Sequence, residues 1–298
     1  GSHKAGVSRT YKNFDGYAPI FAYIGTDGYL CNAELREGKQ HCQSGTPEFL
    51  AETIIAAKQM TKKPLLFRMD SGNDALENML LLHWQAPQLK FLIKHNFRRE
   101  DRYAIAEELK SVCKNVKHPR DGKTVYIGST WRDFETEKDG KCAIRMVYEI
   151  TERTTDANGQ EMLFPETEID MYWTSLGVSD EEVIALYHNH AVCEQYHSEI
   201  KTDMGIERLP SGKFETNALI LKLTMIAYNI LRIIGTAAMK GNDMPIRHST
   251  IKRRRIRTVI DNLILIADHL TDHARKLRLA LGHCNGWIYT FLRVAESF

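Results

Sequence analysis

The sequence predicts a mixed α/β fold in which helices cover a sheet, and three observations carry that prediction. Residues 17–38 have the pattern of a β-hairpin, with a turn at 26–28 between two β-rich runs. Residues 45–95 then alternate helical and strand patterns. The apolar run 64–70 is short and continuous, which is typical of a strand buried on both faces. Strands and helices in this order form a mixed sheet with helical layers.

The segments of the alternating region are bounded by local signals. Residues 45–63 form a predicted helix with Thr46 as its N-cap. Residues 74–85 predict a second helix and residues 89–95 a second strand. The first strand pattern stops at Asp70, just before a Ser-Gly pair. Ligands of α/β sheets bind at the carboxyl ends of strands, so Asp70 lies where a ligand can bind.

Residues 101–178 have a different character. After a short helical pattern at 101–112 come three β-leaning segments separated by turn sequences. We interpret this region as a β-rich insertion into the α/β core. The pattern becomes helical again at Ser179, which forms a capping box with Glu182.

The most hydrophobic stretch, residues 217–235, is nearly long enough to span a bilayer. Lys222, Asn229 and Arg232 interrupt it, so we predict a buried core helix and no membrane span. Residues 250–281 fit either one long helix or a helix followed by a β-hairpin.

The composition is that of an intracellular globular protein. Of the 298 residues, 43% are hydrophobic and 26% charged, which excludes the disordered and fibrous classes. The six cysteines show no CxxC pair and no metal-ligand spacing, so we expect reduced thiols. The opening residues contain no apolar segment of the signal-peptide type. These features predict a cytoplasmic protein.

Charge is distributed unevenly along the chain. Residues 201–298 hold 16 Lys and Arg against 8 Asp and Glu, whereas the rest of the chain holds 24 against 30. The basic half contains the run KRRRIR at 252–257, whose central residues are Arg253, Arg254 and Arg255. Such a run can neutralise the phosphates of a nucleic acid. A solvated helix face explains it nearly as often, so both interpretations stay open.

Four polar residues recur on one predicted helix face. Tyr187, His190, Glu194 and Lys201 lie at offsets of three, seven and fourteen residues. They form either a surface charge network or a site where a carboxylate holds a metal while polar groups contact phosphates. Asp70 likewise either caps the next turn or serves as a metal ligand. Carboxylate oxygens of this kind suit Mg²⁺.

Other catalytic motifs are missing from the sequence. It has no P-loop, dinucleotide-binding, HExxH or GxSxG motif. The spacing of His188, His190, Cys193 and His197 fits no usual zinc site, and no orienting partner can be identified for a Cys193 nucleophile. The two carboxylates are therefore the stronger candidates.

Several segments carry a resemblance to a known family. The four residues of the predicted helix face stand at the spacing Tyr-x2-Arg-x3-Glu-x6-Lys, with histidine in the arginine position. FRMDSGND (67–74) and GIERLPSGKFETNALILKLTMIAYNIL (205–231) resemble two further segments of the same family. That family is the bacterial DDE-type insertion-sequence transposases of DDE group 1. The similarity runs over essentially the whole chain.

The resemblance implies a ribonuclease H-like α/β fold. Such a fold has a mixed sheet with flanking helices, here interrupted by a β-rich insertion and followed by a helical C-terminal region. The implied segments are 1–100 (the first part of the catalytic core, without its first strand), 101–178 (the insertion), 179–240 (the glutamate-bearing helix and the buried helix) and 241–298 (the basic C-terminal region).

The resemblance also implies an activity. The protein is expected to be a DNA transposase that performs metal-dependent cleavage and strand transfer at element ends by a cut-and-paste route. Asp70 would be the second and Glu194 the third acidic ligand of Mg²⁺, for which Mn²⁺ can substitute. Imidazole cannot form the bidentate contact of arginine, so His190 departs from the family pattern. The expected DNA-binding residues are Tyr187, His190, Lys201, Arg253, Arg254 and Arg255.

The implied partners are terminal inverted repeats and target DNA, bound by a homodimer in the bacterial cytoplasm at the nucleoid. No counterpart of the family's first catalytic aspartate is found, so the chain is expected to be an N-terminally truncated, inactive fragment. One alternative is a non-catalytic or domesticated DNA-binding remnant of a transposase. A weaker alternative is another ribonuclease H-like nuclease or a resolvase.

Overall fold

The computed structural model describes residues 4–10, 12–85, 88–136, 140–156, 159–189, 192–245, 253–266, 268–273, 275–282 and 285–298. The chain forms two compact units. We call Gly1–Gln40 with Val192–Phe298 the terminal unit, and His41–Ala191 the central unit. The four segments implied by the family resemblance follow other boundaries and stay a prediction.

The helices and strands are numbered along the chain. The strands are β1 (Ser8–Arg9), β2 (Asp15–Gly16), β3 (Ile20–Ile24), β4 (Tyr29–Glu34), β5 (Leu65–Met69), β6 (Leu89–Lys94), β7 (Asn115–Arg120), β8 (Lys123–Thr136), β9 (Gly140–Thr155), β10 (Glu161–Thr174), β11 (Asp268–His273) and β12 (Lys276–Leu281). The helices are α1 (Thr46–Met60), α2 (Leu76–Trp84), α3 (Arg102–Val112), α4 (Asp180–His188), α5 (Val192–Ser198), α6 (Phe214–Ala238), α7 (Ile256–Val259) and α8 (Ile288–Glu296).

The central unit is a mixed α/β structure built on one six-stranded sheet. The strand order is β5-β6-β10-β9-β8-β7, with β5 parallel to β6 and every other pair antiparallel. Strand β10 joins β6 with Trp173 opposite Ile93. The strands predicted as an insertion at 101–178 therefore continue the sheet of the two parallel strands. The sheet does not confirm a separate insertion.

Burial distinguishes the two parallel strands. Phe91, Leu92 and Ile93 of β6 are fully buried, as expected of a strand covered on both faces. Strand β5 stands at the edge of the sheet, and only Met69 of its residues is buried. The prediction that 64–70 is buried on both faces was wrong, because the other four residues of β5 are only partly buried.

The N-caps of two helices test the capping predictions. Helix α1 has Gly45 at the N-cap, with φ 74°, rather than the predicted Thr46. The Thr46 hydroxyl donates instead to the carbonyl of Cys42 at 2.7 Å. The Ser179 cap of α4 is confirmed, because its hydroxyl accepts from the Glu182 amide at 3.3 Å.

In the terminal unit, the predicted hairpin of β3 and β4 packs against α6. Leu30 of β4 shares a core with Leu221 and Tyr228 of the helix. Asn229 bonds the strand directly: its side-chain oxygen accepts from Leu30 N at 2.8 Å, and its amide donates to Leu30 O at 2.9 Å. The polar residue that interrupts the apolar pattern of α6 therefore satisfies backbone groups of β4.

Helix α6 is only partly the buried core helix that was predicted. One face is buried and includes Arg232, which is 1% exposed. The opposite face is apolar and exposed. By length and composition α6 is also the one helix of the described residues that could cross a membrane. Its most apolar 18-residue stretch has a mean hydropathy of 1.6, and 22% of that stretch is buried.

The C-terminal region resolves the ambiguity of residues 250–281 in favour of a short helix followed by a hairpin. After α7 and a π-helical segment at Ile260–Ile264, strands β11 and β12 pair with Leu270 opposite Leu279. The expected helical C-terminal region therefore contains a β-hairpin as well as the helices α7 and α8. In residues 276–281, KLRLAL, a leucine stands at every second position, which is the period of a strand.

Candidate functional site

Asp70 lies at the carboxyl end of β5, immediately before a 3-10 turn at Ser71–Asn73. Its side chain is exposed, and Oδ1 accepts from Gly72 N at 3.2 Å and from Asn73 Nδ2 at 2.7 Å. Asp70 therefore caps the turn, as one of the two interpretations expected. Among the described residues no donor contacts Oδ2, so this oxygen is available to an outside ligand.

The loop behind Asp70 is anchored by an Asp-His-Glu array in which Asp74 and His95 are buried and Glu100 is exposed. Nδ1 of His95 lies 2.9 Å from Oδ2 of Asp74, and Nε2 lies 2.6 Å from Oε2 of Glu100. Asp74 Oδ2 also accepts from Asn96 N at 2.7 Å. These contacts connect the ends of β5 and β6.

The array perturbs the pKa of two of its members. Burial lowers the pKa of His95, but the carboxylates of Asp74 and Glu100 outweigh burial and raise it above 6.5. Burial raises the pKa of Asp74, but contacts with His95 and the Asn96 amide lower it overall. The structure therefore favours an imidazolium between two carboxylates.

Glu194 lies on α5 in the terminal unit, with an exposed side chain. The other side of α5 packs on the hairpin. Tyr196 is 3% exposed and donates to Thr26 O at 2.6 Å, and its ring lies 5.2 Å from that of Tyr23. The ring of His197 also contacts Tyr23, at 5.3 Å. These contacts direct the opposite side of α5, and with it Glu194, toward solvent.

Tyr187 lies on α4 in the central unit and is half-buried. Its ring packs at 4.7 Å from that of the buried Tyr172, beside Leu92 and Val147. Arg68 of β5 donates to the carbonyl of the preceding Leu186 at 2.8 Å and so joins α4 to the sheet. In this structure Tyr187 is a packing residue of the central unit.

Lys201 is exposed and lies in a π-helical segment, Glu199–Asp203, that follows α5. A π-helix has more residues per turn than an α-helix, so the register of side chains shifts within this segment. His190 lies outside the described residues. The four polar residues thus occupy separate elements rather than one regular helix face, since α4 ends at His188 and α5 begins at Val192.

The three central arginines of the basic run are engaged within the terminal unit. Arg253 forms an ion pair with Glu199 and stacks 4.5 Å from the ring of Tyr196. Arg254 stacks 5.3 Å from the ring of Trp287. Arg255 is more exposed and bonds Asp203 through Nε at 2.8 Å and Nη2 at 3.1 Å.

Sequence reasoning missed Glu199, which is 2% exposed. Its Oε2 accepts from Arg232 Nη2 at 2.8 Å and from the Tyr228 hydroxyl at 3.3 Å, besides its contact with Arg253. The arginine within the apolar pattern of α6 was the available signal. A charged arginine on a buried helix face needs a buried anion as its partner, because burial of an unpaired charge is costly.

The predicted ligands belong to separate units, Asp70 to the central unit and Glu194 to the terminal unit. Both are exposed carboxylates, which are the hard oxygen donors that Mg²⁺ prefers. In the part of the chain that the structure describes, no group of three or more His, Cys, Asp and Glu residues is placed to hold a metal ion.

Comparison with known proteins adds one finding to this geometry. A family model described as "Transposase DDE domain group 1" matches residues 1–297, which is essentially the whole chain. No curated protein matches the chain.

Proposed function

The chain belongs to the DDE transposases of group 1, and from that membership we propose metal-dependent cleavage and strand transfer of DNA at the ends of an insertion sequence by a cut-and-paste route. A transposase acts on DNA, and DDE transposases generally use divalent metal ions. The observation that supports the finer proposal is Asp70. It is an exposed carboxylate at the carboxyl end of a parallel strand, on a loop anchored by the buried pair of His95 and Asp74 and by the contact of His95 with Glu100.

Asp70 and Glu194 are the residues that would hold Mg²⁺, or Mn²⁺ in its place. Their carboxylates fit a hard cation in chemistry and in exposure. A bound metal of this kind activates the attacking oxygen and stabilises the leaving one. The Asp-His-Glu array keeps the Asp70 loop in place, and the aromatic contacts of α5 present Glu194 to solvent.

We further propose that the DNA partners are terminal inverted repeats and target DNA, bound by a homodimer in the bacterial cytoplasm. Lys201 and Arg255 have the exposure that a phosphate contact needs. Three other candidates already pack or form ion pairs within the protein: Tyr187, Arg253 and Arg254. Each would have to contact DNA while it keeps those interactions. For His190, the proposed DNA contact rests only on its position between Tyr187 and Glu194 in the sequence. The ribonuclease H-like core and its insertion also belong to this proposal.

A second candidate is a non-catalytic DNA-binding remnant. The observation that favours it is the basic C-terminal part of the chain, in which residues 201–298 hold 16 Lys and Arg against 8 Asp and Glu, a charge that can bind DNA phosphates without any catalysis.

The test measures binding and cleavage of DNA that carries the ends of the element. The variants are Asp70→Asn and Glu194→Gln, and Glu207→Gln is the control because it is an exposed carboxylate of the terminal unit. If the transposase proposal holds, the protein cleaves this DNA with Mg²⁺, and both variants abolish cleavage while DNA binding persists. DNA binding without cleavage supports the remnant instead.

A Mn²⁺ titration followed by electron paramagnetic resonance gives a second measurement that needs no turnover. Each of the two variants should weaken Mn²⁺ binding, and the control should not. Binding that neither variant changes would remove Asp70 and Glu194 from the metal site.

A further inference from the structure

The side-chain amide of Asn73 bonds the carboxylate of Asp70 within the 3-10 turn. Its Nδ2 donates to Asp70 Oδ1 at 2.7 Å, and Gly72 N donates to the same oxygen at 3.2 Å. An ionised carboxylate only accepts hydrogen bonds, so the nitrogen of the Asn73 amide, rather than its oxygen, faces Asp70. Both of these hydrogen bonds therefore fall on one oxygen of the carboxylate.

The backbone of Asn73 is bonded on both of its polar groups. Its N–H donates to Asp70 O at 3.1 Å, and its carbonyl accepts from Nδ2 of Asn78 at 2.8 Å. Asn78 lies on α2 with no exposed surface, and its Nδ2 also donates to Gln43 Oε1 at 2.8 Å. These bonds connect the base of the Asn73 side chain to Asp70 and to the buried face of α2.

Side chains from outside the turn bond every backbone carbonyl from residue 71 to residue 74. The pairs are Asn96 Nδ2 with Ser71 O at 3.2 Å, Cys42 Sγ with Gly72 O at 3.0 Å, Asn78 Nδ2 with Asn73 O at 2.8 Å, and Arg98 Nη2 with Asp74 O. These four bonds anchor the backbone of the turn, whereas the Asn73 amide donates to the carboxylate itself. Substitution can therefore separate the effect of the amide from that of the backbone.

The number of carboxylate oxygens that a metal can reach matters for its identity. Mg²⁺ requires near-octahedral geometry with oxygens at about 2.0–2.1 Å, which a single oxygen of a carboxylate satisfies. Mn²⁺ also takes octahedral oxygen sites. Ca²⁺ is larger, takes roughly six to eight oxygens and accepts both oxygens of one carboxylate. A carboxylate that already has two donors on Oδ1 therefore suits the ions that bind one oxygen.

We propose that Asn73 is a specificity-determining residue of the Asp70 metal site. Its amide occupies Oδ1, leaves Oδ2 to the metal and so favours Mg²⁺ and Mn²⁺ over Ca²⁺. The inference rests on the proposed function, because it requires Asp70 to be a metal ligand.

Electron paramagnetic resonance of the full 298-residue chain tests the proposal. Titration with Mn²⁺ gives the Mn²⁺ Kd, and displacement of bound Mn²⁺ by Ca²⁺ gives the Ca²⁺ Kd. Asn73→Ala removes the amide and should raise the Mn²⁺ Kd on the order of tenfold, as expected for loss of a hydrogen bond to a metal ligand. The Ca²⁺ Kd should change little, because Ca²⁺ can use the freed oxygen, so the ratio of the Ca²⁺ to the Mn²⁺ constant should fall about tenfold.

The matched control is Cys42→Ala. It removes a bond to the carbonyl of Gly72 in the same turn without touching the carboxylate. Any loosening of the turn should then change both dissociation constants by the same factor and leave their ratio at the wild-type value.

Asp70→Asn separates this inference from the proposed function. If that variant binds Mn²⁺ as wild type does, the metal role of Asp70 and this inference both fail. If it weakens Mn²⁺ binding but Asn73→Ala leaves the ratio of the two constants unchanged, the inference alone is overturned. An equal fall of the ratio in Cys42→Ala would also overturn it, because the backbone of the turn, rather than the Asn73 amide, would then set the preference.

Discussion

The buried carboxylate of Glu199 is the point at which the terminal unit is most sensitive to a small change. Glu199→Gln preserves the size of the side chain and removes its charge. The guanidiniums of Arg232 and Arg253 would then face each other beside Tyr228 without a counter-charge. We expect strong destabilisation of the terminal unit. The contacts of the solvent-exposed residues near α5 should not change.

The magnitude follows from burial. Glu199 is 2% exposed and Arg232 1%, so water cannot replace the lost partner. Removing one member of a buried ion pair costs about 3–5 kcal/mol. That is a large part of the roughly 5–15 kcal/mol by which folded proteins are stable. For a unit of this size it corresponds to a Tm lower by on the order of 10 °C.

Urea unfolding of wild type and variant, followed by circular dichroism and by Trp fluorescence, measures the free-energy difference. Glu207→Gln serves as the matched control, because that carboxylate is exposed and its loss should change stability by less than about 0.5 kcal/mol. A loss under about 1 kcal/mol for Glu199→Gln would refute the reasoning, since the arginines would then not depend on the buried charge.

Three further predictions concern the central unit. The positive charge of His95 stabilises the central unit fully below pH 6.5, the pKa of an unfolded histidine, and this stabilisation is lost as pH rises through the higher pKa of the folded state. The stabilisation from the Asp74 carboxylate is lost at acid pH, as pH falls below 3.8 and through the lower pKa of the folded state. Urea unfolding across this range should therefore show a stability decrease above pH 6.5 that His95→Gln removes; an unchanged pH profile in the variant would contradict the array. Tyr187→Ala should cost about 1–3 kcal/mol through lost packing of this half-buried ring on Tyr172, and Tyr187→Phe much less, as judged by thermal unfolding. Equal losses for both would mean that the hydroxyl, rather than the ring, stabilises α4. Ser179→Ala should cost about 1 kcal/mol by removing the N-cap of α4, measured against Ser179→Thr, which retains a hydroxyl acceptor.

Local elements were predictable because their signals lie within a few neighbouring residues. Each of these elements follows from a pattern that spans no more residues than one helix: the hairpin of β3 and β4, the strands β5 and β6, and the Ser179 cap. Thr46 shows the limit of such signals. Its hydroxyl had a nearby carbonyl to bond, and Gly45, which tolerates a left-handed conformation, took the capping position.

The roles of charged residues were less predictable. Glu194 and Glu199 lie five residues apart in the same polar stretch, yet one is exposed and the other is 2% exposed. What separates them is Arg232, which follows Glu199 by 33 residues and reaches it through tertiary packing. The same holds for Asp70, whose loop is anchored by His95 and Glu100 in the segment that follows β6.

The sequence by itself determined the mixed α/β class, the order of most helices and strands, the family and the nomination of Asp70 and Glu194 as candidate metal ligands. Tertiary structure alone decided that β5 is an edge strand, that β7 to β10 extend its sheet, and that the arginines of the basic run bond within the terminal unit. It also decided that α6 buries one face and exposes the other. The physical reason is that pairing, burial and ion-pair partners depend on segments that are distant in the chain, whereas propensity and capping depend on adjacent residues.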